Sequence, residues 1–109
     1  MSAMLTRIKI DYDGPLPSDL SYRIHWTFQT LRAPVAWWSC YRTRRGWHVE
    51  IAVKRRWHPW RVIAVQAIMG SDWRRETYNL RRVAAWRTLP GIARQRWNVL
   101  FTQKHTIVA

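Results

Sequence analysis

Two acidic residues stand one residue apart in "RIKIDYDGP" (residues 7–15): Asp11 and Asp13. A histidine and a third acid keep the same spacing in "WHVEIAV" (47–53): His48 and Glu50. Acids are scarce in this chain, 6 Asp+Glu against 19 Lys+Arg, so the pairing asks for a reason. Residues two apart on an extended strand share a face and sit roughly 7 Å apart at the backbone. Carboxylates so placed can lean toward one hard cation such as Mg²⁺ or Mn²⁺, which takes oxygen ligands. Each feature also has a plain reading. Charges are common on an exposed strand face, Asp13-Gly14 can open a turn, and a single histidine is more often structural. Their convergence on one face makes Asp11, Asp13 and Glu50 the candidate metal ligands.

The elements that would position them follow from periodicity. "LTRIKIDYD" (5–13) alternates, with Ile8, Ile10 and Tyr12 on one side and Lys9, Asp11 and Asp13 on the other. "GPLPS" ends that strand, and Ser18 can cap a helix in which Leu20, Ile24, Phe28 and Leu31 form the apolar stripe. "AP" at 33–34 stops it. "VAWWSCYR" (35–42) and "WHVEIAV" read as strands joined by the turn "TRRG". Trp47, Val49, Ile51 and Val53 share one face of the second; His48 and Glu50 share the other. Pro59 suits the first position of a helix that ends at Gly70. "SD" (71–72) recaps a further helical run to about Trp86, and "WNVLFT" (97–102) reads as a last strand.

Strand, helix, strand, strand, helix, strand is the order of the α+β ferredoxin-like plan, βαββαβ, which the RNA-recognition (RRM-like) module shares. It predicts one domain over 1–109, a four-stranded antiparallel sheet with the first and third strands adjacent in its centre, helices on one face and the other face open. The apolar parity then puts Lys9, Asp11, Asp13, His48 and Glu50 together on the open face. "RRGWHVEIA" (44–52) partly matches the RNA-recognition signature. In that register Val49 would be exposed and Glu50 buried, and burying an unpaired carboxylate is costly. The parity therefore argues against base stacking by this strand.

The net charge is +13, and 16 of the 19 cations are arginine. Arginine grips phosphate at two points and stacks on bases. So large a charge repels itself unless a polyanion offsets it, and nucleic acid is the first candidate partner. Arg42, Arg44 and Arg45 precede the third strand; Lys54, Arg55 and Arg56 follow it, next to Trp57 and Trp60. Arg74, Arg75, Arg81 and Arg82 span the later helix beside Trp73. Basic residues interleaved with aromatics suit single-stranded DNA or RNA. Nine tryptophans exceed what so small a core holds. Several are expected at the surface, where Trp57 and Trp60 would alternatively serve a homo-oligomer interface. The single cysteine, Cys40, permits no intrachain disulfide and reads as a small core residue. No signal-peptide run or membrane-spanning window is present, so an intracellular, cytoplasmic protein without a membrane partner is expected.

"IKIDYDG" followed by "GWH" (Gly46, Trp47, His48) resembles the first two motifs of the archaeo-eukaryotic primase superfamily, the primase–polymerases, whose palm is an RRM-like sheet. The resemblance covers about residues 5–100. It implies a catalytic set of Asp11, Asp13 and His48, with both aspartates on a divalent metal and His48 on the phosphates of a nucleoside triphosphate. The family's third motif supplies a further carboxylate. Here Asp72 reads as a helix cap, Asn79 stands where an acid would be expected, and Glu50 is the substitute at hand. The expectation is a small nucleic-acid-binding protein with a primase-palm-like fold. Its size and charge suggest replication of a mobile element or virus. The alternatives are an active Mg- or Mn-dependent nucleotidyltransferase, a structural nucleoprotein that coats DNA or RNA, or a small ferredoxin-like nuclease with Asp11 on the metal.

Overall fold

The computed structural model describes residues 5–85, Asn98 and the backbone of 105–107. Its elements are β1 (Thr6–Tyr12), α1 (Leu20–Thr30), β2 (Val35–Thr43), β3 (Trp47–Val53), α2 (Pro59–Ile68), α3 (Trp73–Ala84) and β4 (His105–Ile107). The three long strands form an antiparallel sheet in the order β1-β3-β2; β1 and β3 are adjacent as expected, but among the described residues β1 is an edge strand and not a central one. Short β4 adds to the outer edge of β2 through Tyr41, Arg42 and Thr43. The strand expected at 97–102 lies outside the described residues, apart from Asn98, which sits in a turn.

Alternation built β1 and β3 as the sequence predicts. Ile8, Ile10, Tyr12, Val49, Ile51 and Val53 are all buried and pack with Leu20, Ile24 and Phe28 of α1 and Val62, Val65 and Met69 from α2 and its end. Leu31, Cys40 and Trp47 pack partly buried against that core. Burial of each such aliphatic side chain contributes about 1.5–3 kcal/mol. Tyr12 reaches through the core to donate its hydroxyl to the Met69 carbonyl at 2.7 Å. Burial raises its phenol pKa, against a smaller opposing pull from Arg23.

α1 starts one residue later than Ser18 predicts: Asp19 is the cap position, and its side chain makes no capping bond. α2 does begin at Pro59, with His58 Nδ1 accepting from the Trp60 N–H. α2 stops at Ile68 with Met69 as its C-cap, and Gly70 follows with a φ of 95°, open to glycine at little cost. α3 follows at once, with the Asp72 carboxylate accepting from the Arg75 N–H. The capping role predicted for Asp72 is the one it takes.

Of the seven tryptophans among the described residues, none is fully buried. Trp47 and Trp57 are half-buried, and Trp26, Trp37, Trp38, Trp60 and Trp73 are exposed. The core is mainly aliphatic, with Phe28 and Tyr12 as its aromatics, and the described indoles form its rim and the surface.

Candidate functional site

The strand register fixes which side chains share the face opposite α1 and α2. Three rows cross it: Asp11, His48 and Tyr41; Lys9, Glu50 and Ser39; Arg7, Ala52 and Trp37. The predicted grouping of Lys9, Asp11, His48 and Glu50 on one face is therefore present. His48 Nε2 lies 3.3 Å from Asp11 Oδ1. Glu50 turns instead to Arg7, at 3.1 Å. Asp13 falls beyond the end of β1, exposed in a bend that continues into Gly14, where φ is 126°. Strand alternation stops at Tyr12, so it no longer directs the Asp13 side chain toward Asp11.

Among the described residues, no three His, Cys, Asp or Glu side chains converge to hold a metal ion. Asp11, Asp13 and Glu50 thus do not form the trio that the spacing suggested. The physical reasons are local: an arginine on the neighbouring strand claims Glu50, and β1 ends before Asp13. The three carboxylates as placed do not fit a shared Mg²⁺ or Mn²⁺ ion.

The face is also less bare than a half-covered sheet implies. His48 and Ala52 are buried. The Arg7 guanidinium sits 5.1 Å from the centre of the Trp37 ring. These two residues flank Ala52 on the neighbouring strands, so their contact spans β3 above the small alanine. A cation over an indole is worth about 0.5–1 kcal/mol at an exposed site.

A second polar cluster, not foreseen from the sequence, lies along the outer edge of β1. The Lys9 N–H donates to Gln66 Oε1 at 2.8 Å, and the Asp11 N–H donates to Ser71 Oγ at 3.0 Å. The Lys9 carbonyl accepts from Arg75 at 2.7 Å, the Asp11 carbonyl from the Asp72 N–H at 2.7 Å, and the Arg7 carbonyl from Asn98 at 3.4 Å. Side chains thus satisfy most of an edge that another strand would otherwise pair. Glu76 is the hub. Its carboxylate accepts from Gln66 at 2.8 Å, Ser71 at 2.7 Å, Asn79 at 3.1 Å and Arg75 at 2.6 Å. Asn98 accepts from Arg75 at 2.8 Å and gives its backbone N–H to Asn79 at 2.8 Å. Burial pulls the Arg75 pKa down, and the adjoining Glu76 carboxylate pushes it back up. The sequence did carry a faint signal. Arg75, Glu76 and Asn79 of "WRRETYNLRRVA" stand at spacings that share one helical side.

The basic residues divide among three places. Arg42, Arg44 and Arg45 are exposed at the β2–β3 turn. Lys54, Arg55 and Arg56 are exposed at the other end of β3, roughly 20 Å away for a seven-residue strand. Thr6 pins that second loop by donating to the Arg55 carbonyl and accepting from the Trp57 N–H. Arg74 and Arg81 point outward from α3, Arg82 is half-buried, and Arg75 turns inward. Placing Arg75 among the phosphate contacts is therefore corrected: it is buried and committed to Glu76 and Asn98. Trp60 is exposed, but Trp57 stacks on Phe28 with Arg61 over its ring. Within the described residues no helix is long and apolar enough to cross a membrane.

The fold and these sites define a small α+β domain with a strongly basic surface. No protein-family model, curated protein or solved structure matches the chain.

Proposed function

We propose that the chain is a nucleic-acid-binding protein that works through its arginine-rich surface. The observation that carries this reading is how the charges are disposed. Five of the six acids are engaged within the chain: Asp11 with His48, Asp19 with Arg23, Glu50 with Arg7, Asp72 at a helix cap and Glu76 in the buried hub. The outward clusters at 42–45, 54–56 and on α3 hold no acid among them except the buried Glu76. The external field is therefore cationic on several sides, as a polyanion partner requires. The ferredoxin-like, palm-like plan and a setting in replication are part of the same proposal; the pairing of β3 with both β1 and β2 and the "IKIDYDG" and "GWH" motifs support the plan, while β4 joins the sheet beside β2 rather than beside β1, where that plan puts its last strand.

The test is equilibrium binding of the full chain to labelled single-stranded and duplex DNA and RNA across a salt series. Affinity should fall linearly in log–log form, with a slope set by the number of phosphates neutralised. Absence of binding at low salt would overturn the proposal.

A catalytic reading, metal-dependent nucleotidyl transfer with a nucleoside triphosphate, has one observation in its favour: β1 and β3 bring Asp11 and His48 within 3.3 Å. Calorimetric titration with Mn²⁺, with and without a triphosphate, separates the two readings. Saturable binding that Asp11→Ala/Asp13→Ala abolishes would favour catalysis. Heat traces identical for both proteins would leave the binding function alone.

A further inference from the structure

Helix α3 is inside out. Its buried positions are Arg75, Glu76, Asn79 and Val83, so three of the four are polar. Its outer positions carry Trp73 at 69% exposure, Tyr78 at 46% and Leu80 at 40%. An amphipathic helix of a small domain normally shows the reverse. The inner residues explain how the helix stays in place. Hydrogen bonds from Gln66, Ser71 and Asn79 to Glu76, and from Arg75 to Lys9 and Asn98, require particular partners at particular angles. Apolar packing tolerates rotation of a helix about its axis, but directional bonds do not. The outer rings are therefore presented in a fixed direction.

The outer face pairs rings with cations. The Arg74 guanidinium lies 5.6 Å from the centre of the Trp73 ring, and that of Arg82 lies 4.7 Å from the centre of the Tyr78 ring. Arg82 also donates to the Tyr78 hydroxyl at 3.1 Å. Arg81 is exposed on the same helix. The one acid within α3, Glu76, is buried on the opposite side.

We propose that this outer face of α3 is a stacking platform for single-stranded nucleic acid: unpaired bases lie on Trp73 and Tyr78, and the phosphates between them meet Arg74 and Arg81. Charge complementarity commits the face to a polyanion. The rings commit it to a strand whose bases are free to stack, because a duplex hides its base faces. This inference rests on the nucleic-acid-binding reading and assigns that function to one of the three basic surfaces.

The experiment measures binding of oligothymidylate and oligouridylate of about 20 nucleotides, and of a matching duplex, to the full chain. Four proteins are compared: the unaltered chain, Trp73→Ala/Tyr78→Ala, Arg74→Gln/Arg81→Gln, and Arg55→Gln/Arg56→Gln at the far loop. The substituted side chains are exposed, and thermal melting verifies that each variant folds. The ring variant should bind single strands about five-fold or more weaker, with its salt slope unchanged. The α3 arginine variant should lose about 1.4 from the slope, two phosphates' worth for a single strand. Both should leave duplex binding nearly unaltered. Quenching of tryptophan fluorescence by the oligomer should shrink in the ring variant and persist in the far-loop variant. If the unaltered chain binds no nucleic acid, the functional reading falls and takes this inference with it. If it binds but the ring variant binds single strands equally well, only the α3 platform is overturned. The platform is likewise overturned if sedimentation shows that the ring variant loses self-association rather than nucleic acid, because the face then belongs to a second copy.

Discussion

Strand β1 meets two polar clusters, and they differ in how they hold their charge. Across the sheet, Asp11 faces His48 at 3.3 Å, with 28% of its side chain in solvent. Along the outer edge, Glu76 and Arg75 meet at 2.6 Å with only 5% and 4% of their side chains exposed. Glu76 accepts four side-chain hydrogen bonds, and Arg75 reaches a backbone carbonyl and Asn98 besides. Water can take over for a lost partner at Asp11. It cannot do so at Glu76, where a buried charge is tolerable only because its lone pairs are filled. In the first cluster the Asp11 carboxylate still reaches solvent, although its partner His48 is buried. The second is already saturated from within, and its task is to close the edge of a sheet and fix α3.

The largest effect expected from this contrast is at Glu76. Glu76→Ala would strand Arg75 in the interior, along with the donors of Gln66, Ser71 and Asn79. A cost of about 3–5 kcal/mol is expected for breaking a buried pair from one side. Urea unfolding should register it as a fall in midpoint with little change in slope. Arg75→Met/Glu76→Leu removes both charges and should recover much of that loss. A loss as large as in the single variant would mean that the hydrogen bonds, rather than the charge pair, carry the edge.

Next in size is Gly46, on the side of Asp11 and His48. A Cβ there would stand 1.8 Å from the Tyr12 carbonyl oxygen and 2.6 Å from the Gly14 nitrogen. Both are backbone atoms, so neither can swing aside. The end of β1 must separate from the β2–β3 turn, and Gly46→Ala should cost about 1–3 kcal/mol, the range for overpacked positions. Because His48 is two residues on, the same variant should shift the His48 ring resonances in an NMR spectrum. Unmoved His48 signals would show that the turn adjusts without disturbing the contact to Asp11.

The two clusters were unequally legible in the sequence, for a physical reason. Asp11 and His48 sit on alternating strands, and alternation at period two announces which residues share a face. Ile8, Ile10, Val49 and Ile51 carry the same signal in reverse, which is why the core and the β1–β3 pair were readable. Glu50 was placed on the right face, but Arg7 was not seen to claim it, because that choice depends on side-chain reach. The edge network draws on Gln66, Ser71, Glu76, Asn79 and Asn98. Glu76 and Asn79 share a side of α3, but no period links them to Gln66, Ser71 or Asn98, and each polar residue alone reads as solvated surface. Arg75 illustrates the difficulty: within "RR" it looks like half of a basic patch, yet one arginine faces out and its neighbour faces in. Short β4 was illegible for a different reason. It pairs with β2 at the Tyr41–Thr43 end, and its three residues are too few to show any period.

A smaller effect sits between the clusters. Tyr12 ends β1 and ties the sheet to the end of α2 through the Met69 carbonyl. Tyr12→Phe removes that bond and should cost about 1 kcal/mol. It should also change the alkaline limb of the stability curve. Burial holds the folded-state phenol pKa above its ordinary value near 10. Its contribution is therefore complete below the unfolded pKa and is lost as pH rises through the folded one. Stability of the unaltered chain should fall more steeply than that of Tyr12→Phe above about pH 10. Parallel curves there would show that the phenol does not govern the alkaline limb.

The smallest expected change in stability is at Asp11, and it decides what the cluster on the sheet face is for. Asp11→Asn keeps the shape of the side chain and can still bond to His48, so the loss should be about 1 kcal/mol or less. Its backbone N–H and carbonyl bonds to Ser71 and Asp72 do not involve the carboxylate, so the edge network should stand. If the surface serves only to bind nucleic acid, removing a negative charge from a cationic field should strengthen binding slightly at low salt, and the gain should fade as salt screens it. If Asp11 is a catalytic ligand, the same substitution should abolish Mn²⁺ uptake and any triphosphate-dependent synthesis while the fold persists. The substitution that least disturbs the protein thus separates its two readings most sharply, because at Asp11 the charge is available to a partner and at Glu76 it is not.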